Sequence, residues 1–397
     1  MLKVSIRSCP ICENRHVEVL HYQHFVLPQG HPLIAGYDVV SCRRCDFIFA
    51  DVTLSQKDYD LIYSSFSKYE DKKTASGGGF TTWDLKRLEE TTVYLKKNWP
   101  DKKTPIVDIG CSNGGLLYQL KKAGYEKLFG IDPSSICVQN TIALGIDADV
   151  GSLMCLPENN EPFDRVILSH VLEHVADLQG AIRAVCMQIR AGGQVYIELP
   201  DASRYADALF SPFQEFNTEH INHFTTITCA NLMESFGFVN LEQGKRVIES
   251  SPGKPYPVIY GMWLKDSCSE NKVELRRDSE VKSKIYDYIA KSEALMDNIK
   301  KRLADIYMCY PRIILWGTGQ LLLKLLADKE LKKSAILVFV DGNRVNQGNN
   351  LEGIPILAPE AIWQFHAPIL ITTLLHQKEI TETIKQMGLP NEILTLI

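Results

Sequence analysis

The sequence predicts an α/β protein with a small cysteine-rich module ahead of a parallel, doubly wound sheet, then a long charged helix and a second, smaller α/β unit. Three observations carry this. Cys9-x-x-Cys12 and Cys42-x-x-Cys45 form two knuckle-type pairs near the start of the chain. Val107-Asp108-Ile109-Gly110-Cys111-Ser112-Asn113-Gly114-Gly115 is an apolar strand running into a glycine-rich turn. From that turn onward, strand-like segments alternate with helical ones, as in a parallel sheet covered by helices on both faces.

Each element follows in order. Residues 1–60 are strand- and turn-like and hold all four paired cysteines. Residues 61–83, rich in Ser, Gly and Tyr, are expected to form a connector or lid. A helical pattern from Trp83 runs to Trp99-Pro100. Strands are expected at 106–109, 128–131, 166–168 and 195–198, with helices at 115–123, 134–143 and 178–189 between them. A short helix at 231–236 and two more strands, 239–247 and 258–264, close the sheet. Residues 270–307 are highly charged, with Ile285, Ile289, Leu295, Ile299, Leu303 and Ile306 on one helical stripe. Strand pattern restarts at 313–316, 336–340 and 369–372. The expected domains are 1–60, 61–268, a linker helix over 269–307, and 308–397.

Bulk properties narrow the function. The 397 residues have enough apolar content, 45%, for more than one core. A net charge of −5 argues against a general nucleic-acid binder, which needs a basic face. No apolar run reaches membrane-spanning or signal-peptide length. Seven of the eleven cysteines are scattered, which fits a reducing cytoplasm. The expected partner is a small molecule, with neither nucleic acid nor membrane.

Cys9, Cys12, Cys42 and Cys45 can close a tetrahedral thiolate site for Zn2+. Four protein ligands leave no open position, so the ion would be structural. Asp108-x-Gly110-x-x-x-Gly114 is not the dinucleotide G-x-G-x-x-G. It resembles motif I of class I S-adenosylmethionine (SAM)-dependent methyltransferases, where the turn takes the methionine part. Asp132, ending the next strand, is placed to accept from ribose hydroxyls. Ser152, in the 149–153 segment expected beside the adenine, and Ser169, after the fourth strand, complete the cofactor candidates.

His170-Val171-Leu172-Glu173-His174 spells H-x-x-E-H, an inverted zinc-protease motif. Here it follows a strand of a cofactor sheet. His174 therefore reads as a pocket residue and His170 as structural. Beyond Pro200, the segment Glu215-Phe216-Asn217-Thr218-Glu219-His220-Ile221-Asn222-His223 offers an imidazole base beside a carboxylate. His220 and His223 as ligands of a second metal are the minor reading. Trp316-Gly317-Thr318-Gly319, with Asp341 downstream, repeats the strand, glycine turn and acid pattern. It suits a substrate diphosphate or packing alone.

This order of parts resembles one family over nearly the whole chain: the zinc-containing SAM-dependent sugar C-methyltransferases that make branched-chain deoxysugars on nucleotide carriers. The C-terminal residues that carry the resemblance run from Ile314 through Gly319, Phe339 to Asn343, and Gly353 to Ile356. The family's loop reads Tyr-His-Glu-His where this chain has Asn217-Thr218-Glu219-His220. The resemblance implies that SAM occupies the central domain and that the terminal domains enclose a nucleotide-linked 4-keto sugar, with Gly317, Gly319 and Asp341 among its contacts. His220 would remove the proton beside the carbonyl, and Glu219 would orient it. Asn217, Asn222 or His174 would donate to the enolate oxygen, and Tyr69 would serve in the lid. Two alternatives stay open: an O-methyltransferase for a sugar or natural-product hydroxyl, and a non-catalytic nucleotide-sugar scaffold.

Overall fold

A computed structural model describes residues 2–65, 77–157, 162–266 and 274–397. The chain begins with four antiparallel strands, β1 (Leu2–Val4), β2 (His16–His24), β3 (Gly36–Cys42) and β4 (Ile48–Asp51). The two cysteine knuckles have the same turn. Glu13 and Asp46, each just past its pair, adopt φ near 60° and donate their N–H back to Cys9 and Cys42 O, at 2.8 and 2.9 Å. Helix α1 (Gln56–Ser65) follows. Tyr69 lies outside the described residues.

Helix α2 (Thr82–Asn98) starts at an N-cap, Thr81, whose side chain accepts from Asp84 N. Asp84 also accepts from Gly77 N and Gly79 N, at 3.1 and 2.7 Å. The Gly77–Gly79 end of the expected connector is therefore pinned against α2 rather than loose. Then the predicted alternation unfolds: β5 (Ile106–Ile109), α3 (Gly115–Lys122), β6 (Leu128–Asp132), α4 (Ser135–Ala143), β7 (Asp147–Val150), β8 (Phe163–Ser169), α5 (Leu178–Gln188) and β9 (Ile189–Pro200). A two-residue strand, β10 (Asn222–His223), pairs with β4 and joins the N-terminal sheet to the segment after β9. Helix α6 (Thr226–Ser235) begins at a Thr225/Thr228 capping box. The long hairpin β11 (Phe238–Ser251) and β12 (Lys254–Lys265) completes a seven-stranded sheet, ordered β11-β12-β9-β8-β5-β6-β7. Its first five strands in sequence are parallel, and the hairpin is antiparallel.

Helix α7 (Val281–Cys309) buries Ile285, Ile289, Met296, Ile299, Leu303 and Ile306 along one stripe. Each such side chain contributes roughly 1.5–3 kcal/mol, which holds an otherwise charged helix against the core. A third sheet follows, from β13 (Ile313–Trp316), α8 (Gln320–Ala327), β14 (Ile336–Val340), β15 (Asn350–Leu351), β16 (Ile354–Leu357), β17 (Ile369–Ile371), α9 (Gln377–Gln386) and β18 (Ile393–Thr395). One continuous core joins the parts. Phe25 and Tyr37 of the N-terminal region, Phe213 and Phe216 after β9, Tyr288 of α7 and Leu322 of α8 all belong to it. No described helix is long and apolar enough to cross a membrane.

Candidate functional site

A cavity of about 270 Å³ opens at the carboxyl ends of β5, β6 and β8. This is where open α/β sheets bind ligands. Asp108, Gly110, Asp132, Ser152 and Ser169 all line it, together with His174 and His220. The cofactor candidates other than Gly114 thus share one space with His174 and His220.

The glycine turn leaves no room for side chains at Gly110 and Gly114. Gly110 has φ 80°, and a Cβ there would come within 2.7 Å of Val171 Cγ2. Gly114 stands behind the cavity, not in its lining. It has φ 74°, and a Cβ would meet Thr141 Oγ1 at 2.7 Å, so its glycine serves packing at the start of α3. Asp132 Oδ2 accepts from Ser112 N at 2.8 Å and Oδ1 from Ser134 N at 2.9 Å, which fixes the carboxylate at the tip of β6. Burial, with the charge of Asp132 nearby, pushes the Asp108 carboxyl up to about 7. Two acids facing one cavity suit a cationic ligand, and SAM carries a sulfonium and an ammonium.

The imidazoles are oriented from behind. His174 Nδ1 lies 3.1 Å from Glu219 O. A carbonyl only accepts, so Nδ1 carries the proton. His220 Nδ1 lies 3.3 Å from Glu215 Oε2, and the same oxygen accepts from Tyr256 OH at 3.0 Å. The expected partner, Glu219, therefore meets His174 through its carbonyl, while the carboxylate against His220 comes from Glu215. The reason lies in the loop: Asn217 Oδ1 accepts from both Glu219 N and His220 N, at 2.8 and 2.9 Å, and turns the chain so that the ring faces Glu215.

Asn217 and Asn222 are occupied inside the protein. Asn217 Nδ2 donates to Gln214 O. Asn222 donates to Leu172 O and Val175 O and accepts from Arg7. Neither lines the cavity. His223 is also behind it, buried beside Tyr205 OH at 3.1 Å. Burial, with His220 and Arg7 nearby, holds its ring down to about 3, so it is neutral. His170 lines the cavity but bridges two buried carboxylates, Glu173 Oε1 at 3.3 Å and Glu198 Oε1 at 3.4 Å. Burial opposes its charge, but the two carboxylates outweigh that and hold it up to about 9.

Gly317, Gly319 and Asp341 are also away from the cavity. The Asp341 carboxylate is taken up by the glycine turn and by its own loop. It accepts from Thr318 N at 2.8 Å, from Thr318 Oγ1, from Asn343 N at 2.8 Å and from Asn346 Nδ2 at 3.1 Å.

Among the described residues, two groups of side chains could hold a metal. The four cysteine sulfurs lie within 4.8 Å of one another, with Cys9 to Cys45 at 3.6 Å and Cys12 to Cys42 at 3.4 Å. A tetrahedron with Zn–S near 2.3 Å needs S···S of about 3.8 Å, so the set is close to zinc-sized. Asn14 Nδ2 and Arg44 N point at Cys42 Sγ, at 3.5 and 3.4 Å, as thiolate-stabilising donors. Glu173, His174 and His220 likewise offer one ligand atom each within 4.8 Å.

Residues 84–243 match a family model described as a methyltransferase domain. The chain carries a SAM-dependent methyltransferase domain. Residues 309–394 match a second model, described as C2185-like, N-terminal. The tRNA U34 carboxymethyltransferase of Campylobacter hominis is 27% identical over 99 residues, 23% of this chain and 35% of that protein. The human mitochondrial ubiquinone biosynthesis O-methyltransferase is 25% identical over 206 residues, 48% of this chain and 53% of that protein. The chain thus spans about a third to a half of the length of these curated relatives. A solved SAM-dependent methyltransferase from Thermotoga maritima is similar at 17% identity and a TM-score of 0.39, over 51% of this chain and 99% of that one.

Residues 84–243 do not build the cavity alone. Gln56, Asp60 and Tyr63 of α1 line it, and so does Tyr256 of β12. Sequence reasoning assigned none of these four a role, nor Glu215. For Glu215 a signal existed, since it opens the same short segment as His220. The α1 residues carry no motif, and only the fold brings them to the cavity.

Proposed function

We propose that this protein transfers the methyl group of SAM to carbon, on a nucleotide-linked ketosugar, with His220 as the base. The observation that carries the reading is the His220 ring: it stands in the same cavity as Asp108, Gly110 and Asp132 with Nδ1 backed by Glu215. Asp132 would hold the ribose and Asp108 the cationic end of SAM, whose sulfonium supplies an already activated methyl. His220 Nε2 would take the proton beside the carbonyl. Glu215 would steady the ring as it gains charge. The resulting carbanion would take the methyl in line as the S–CH3 bond breaks, leaving SAM's sulfur as a neutral thioether, and proximity would do the remaining work. The negative net charge supports a small acceptor over a nucleic acid. Cys9, Cys12, Cys42 and Cys45 would hold structural zinc in a module of residues 1–60, before a methyltransferase region to 268, a linker helix to 307 and a C-terminal unit. The test is α-proton exchange of a ketosugar nucleotide in deuterated water, with a non-donating SAM analogue bound. Exchange that vanishes in His220→Ala supports the reading, and no exchange in the wild type removes it.

A second reading is O-methylation of a hydroxyl. Glu173, His174 and His220 favour it, because a divalent cation on that trio would lower the pKa of a bound hydroxyl. Ubiquinone O-methyltransferases among the relatives point the same way. A methyl ether product formed only with added divalent metal would select this reading. Failure to bind SAM at all would leave the non-catalytic scaffold.

A further inference from the structure

The loop that carries Glu215 and His220 is gripped from outside the methyltransferase domain. Phe213 O accepts from Lys324 Nζ of α8. Thr218 N donates to Gln320 Oε1 at 3.3 Å, and Gln320 Nε2 returns a bond to Thr218 Oγ1 at 2.8 Å. From α7, Ser292 Oγ accepts from Phe213 N at 3.1 Å, and Tyr288 OH accepts from Glu215 N at 2.9 Å. No described residue after Tyr256 lines the cavity. Helices α7 and α8 therefore touch the loop and not the reaction space.

The grip has the marks of a built device. Lys324 is buried at 1% exposure, spends its ammonium on one backbone carbonyl and sits 5.7 Å from the Phe25 ring centre. A buried lysine is costly to keep. Burial draws it down to about 7, against the pull of Glu215 and Asp328. Its partner Phe213 has φ 52°, a conformation that a bulky residue keeps only when its surroundings enforce it. The acid beside the glycine turn that opens α8 is already engaged, by Thr318 of that turn and by Asn343 and Asn346 of its own loop.

We propose that the C-terminal α/β unit acts on the active site by holding the 213–220 loop, with Lys324 and Gln320 as positioning residues that set the place of Glu215 and His220. Helix α8 then works as a clamp on the base and not as a contact for the acceptor. The proposal concerns the geometry of His220 and holds whether that ring serves as base or ligand.

The test is the imidazole signal of His220 in full-length protein labelled with 13C-histidine, assigned by its loss in His220→Asn. Three variants are compared with wild type at one pH: Lys324→Met, Gln320→Ala, and Asn391→Ala as a control. Asn391 bonds Phe365 O and Ala367 O inside the C-terminal unit, far from the loop in sequence. The expected result is a displaced or broadened His220 signal in Lys324→Met and Gln320→Ala, with SAM affinity unchanged by calorimetry. Asn391→Ala should lower Tm and leave the signal in place. If Lys324→Met fails to fold, Gln320→Ala decides alone. A His220 signal in Gln320→Ala that superimposes on wild type overturns the clamp, and so does a control that moves it equally. Absence of SAM binding in the wild type would instead strike the methyltransferase reading, which the His220 signal does not depend on.

Discussion

Glu215 Oε2 lies 3.3 Å from His220 Nδ1, across a loop that Asn217 folds back on itself. The pair is largely hidden from solvent: the Glu215 side chain is 4% exposed and that of His220 19%. One face of the ring is therefore fixed by a carboxylate, and the other opens to the cavity. This is the arrangement a general base needs, because the carboxylate stabilises the ring once it is protonated.

His220→Ala should lower methyl transfer by roughly 100-fold or more and leave SAM affinity nearly intact. Glu215→Gln keeps the shape and the bond from Tyr256 but removes the charge. It should reduce kcat by about tenfold or more, with little change in KM for SAM, since the lost interaction strengthens only as the ring gains a proton. Steady-state kinetics on both variants check this. A Glu219→Gln variant should be far milder, because Glu219 meets His174 through its backbone.

The class of fold was legible because its signals are periodic. Apolar strands at 106–109 and 128–131, the helix at 115–123 and the stripe on α7 all appear near their expected positions. Strand β7 was not foreseen. Asp147-Ala148-Asp149-Val150 lies at the sheet edge and is mostly exposed, so it needs no apolar pattern. The first residues of β9 escaped for the same reason: Arg190, Ala191 and Gly192 are exposed along the strand. Helix α6 begins five residues earlier than expected, at the Thr225/Thr228 capping box. That Asp108, Gly110 and Asp132 share one cavity could be read from a motif with fixed spacing. The partner of His220 could not, because loop contacts have no period and Asn217 decides them. The Gly317–Gly319 turn resembled a ligand site but spends its acid on itself, a fact visible only in three dimensions.

Asp132→Ala should weaken SAM binding by about 1–3 kcal/mol, through loss of charge-assisted hydrogen bonds to the ribose. The same carboxylate holds Ser112 N and Ser134 N, so the variant also loosens the turn. Gly110→Val should block binding outright, because a side chain at φ 80° is strained and its Cβ would press on Val171. Calorimetry with SAM checks both. Wild-type affinity in either variant would move the cofactor elsewhere.

Asp108 predicts a pH dependence. Its carboxyl titrates near 7 in the free protein, raised from 3.8 by burial and by Asp132. The folded chain thus holds a proton there that the unfolded chain releases earlier. This contribution to stability is fully present below about pH 4 and is lost as pH rises through about 7. A cationic ligand prefers the carboxylate. SAM affinity should therefore rise between about pH 6 and pH 8 and then level off. Asp108→Asn should flatten that rise. A wild-type affinity independent of pH across the window would refute the assignment.

The cysteine cluster supplies the last prediction. The four sulfurs are buried, close to zinc-sized in spacing, and built from two turns of the same geometry. Four buried thiols without an ion would be crowded, whereas zinc would hold them as thiolates and tie β2–β4 to the first residues of the chain. The N-terminal sheet reaches the cavity through α1, whose Gln56 Oε1 accepts from Ala176 N at 2.7 Å beside the His174 segment. Elemental analysis should find one zinc per chain, with little or none in Cys9→Ser/Cys42→Ser. Chelation at elevated temperature should unfold the N-terminal sheet first. SAM affinity should then fall less than turnover, because the proposed cofactor residues sit at the ends of β5, β6 and β8 while the region facing His220 depends on α1. Unchanged zinc content in the double variant would mean that these cysteines pack as thiols and that the module stands on its core alone.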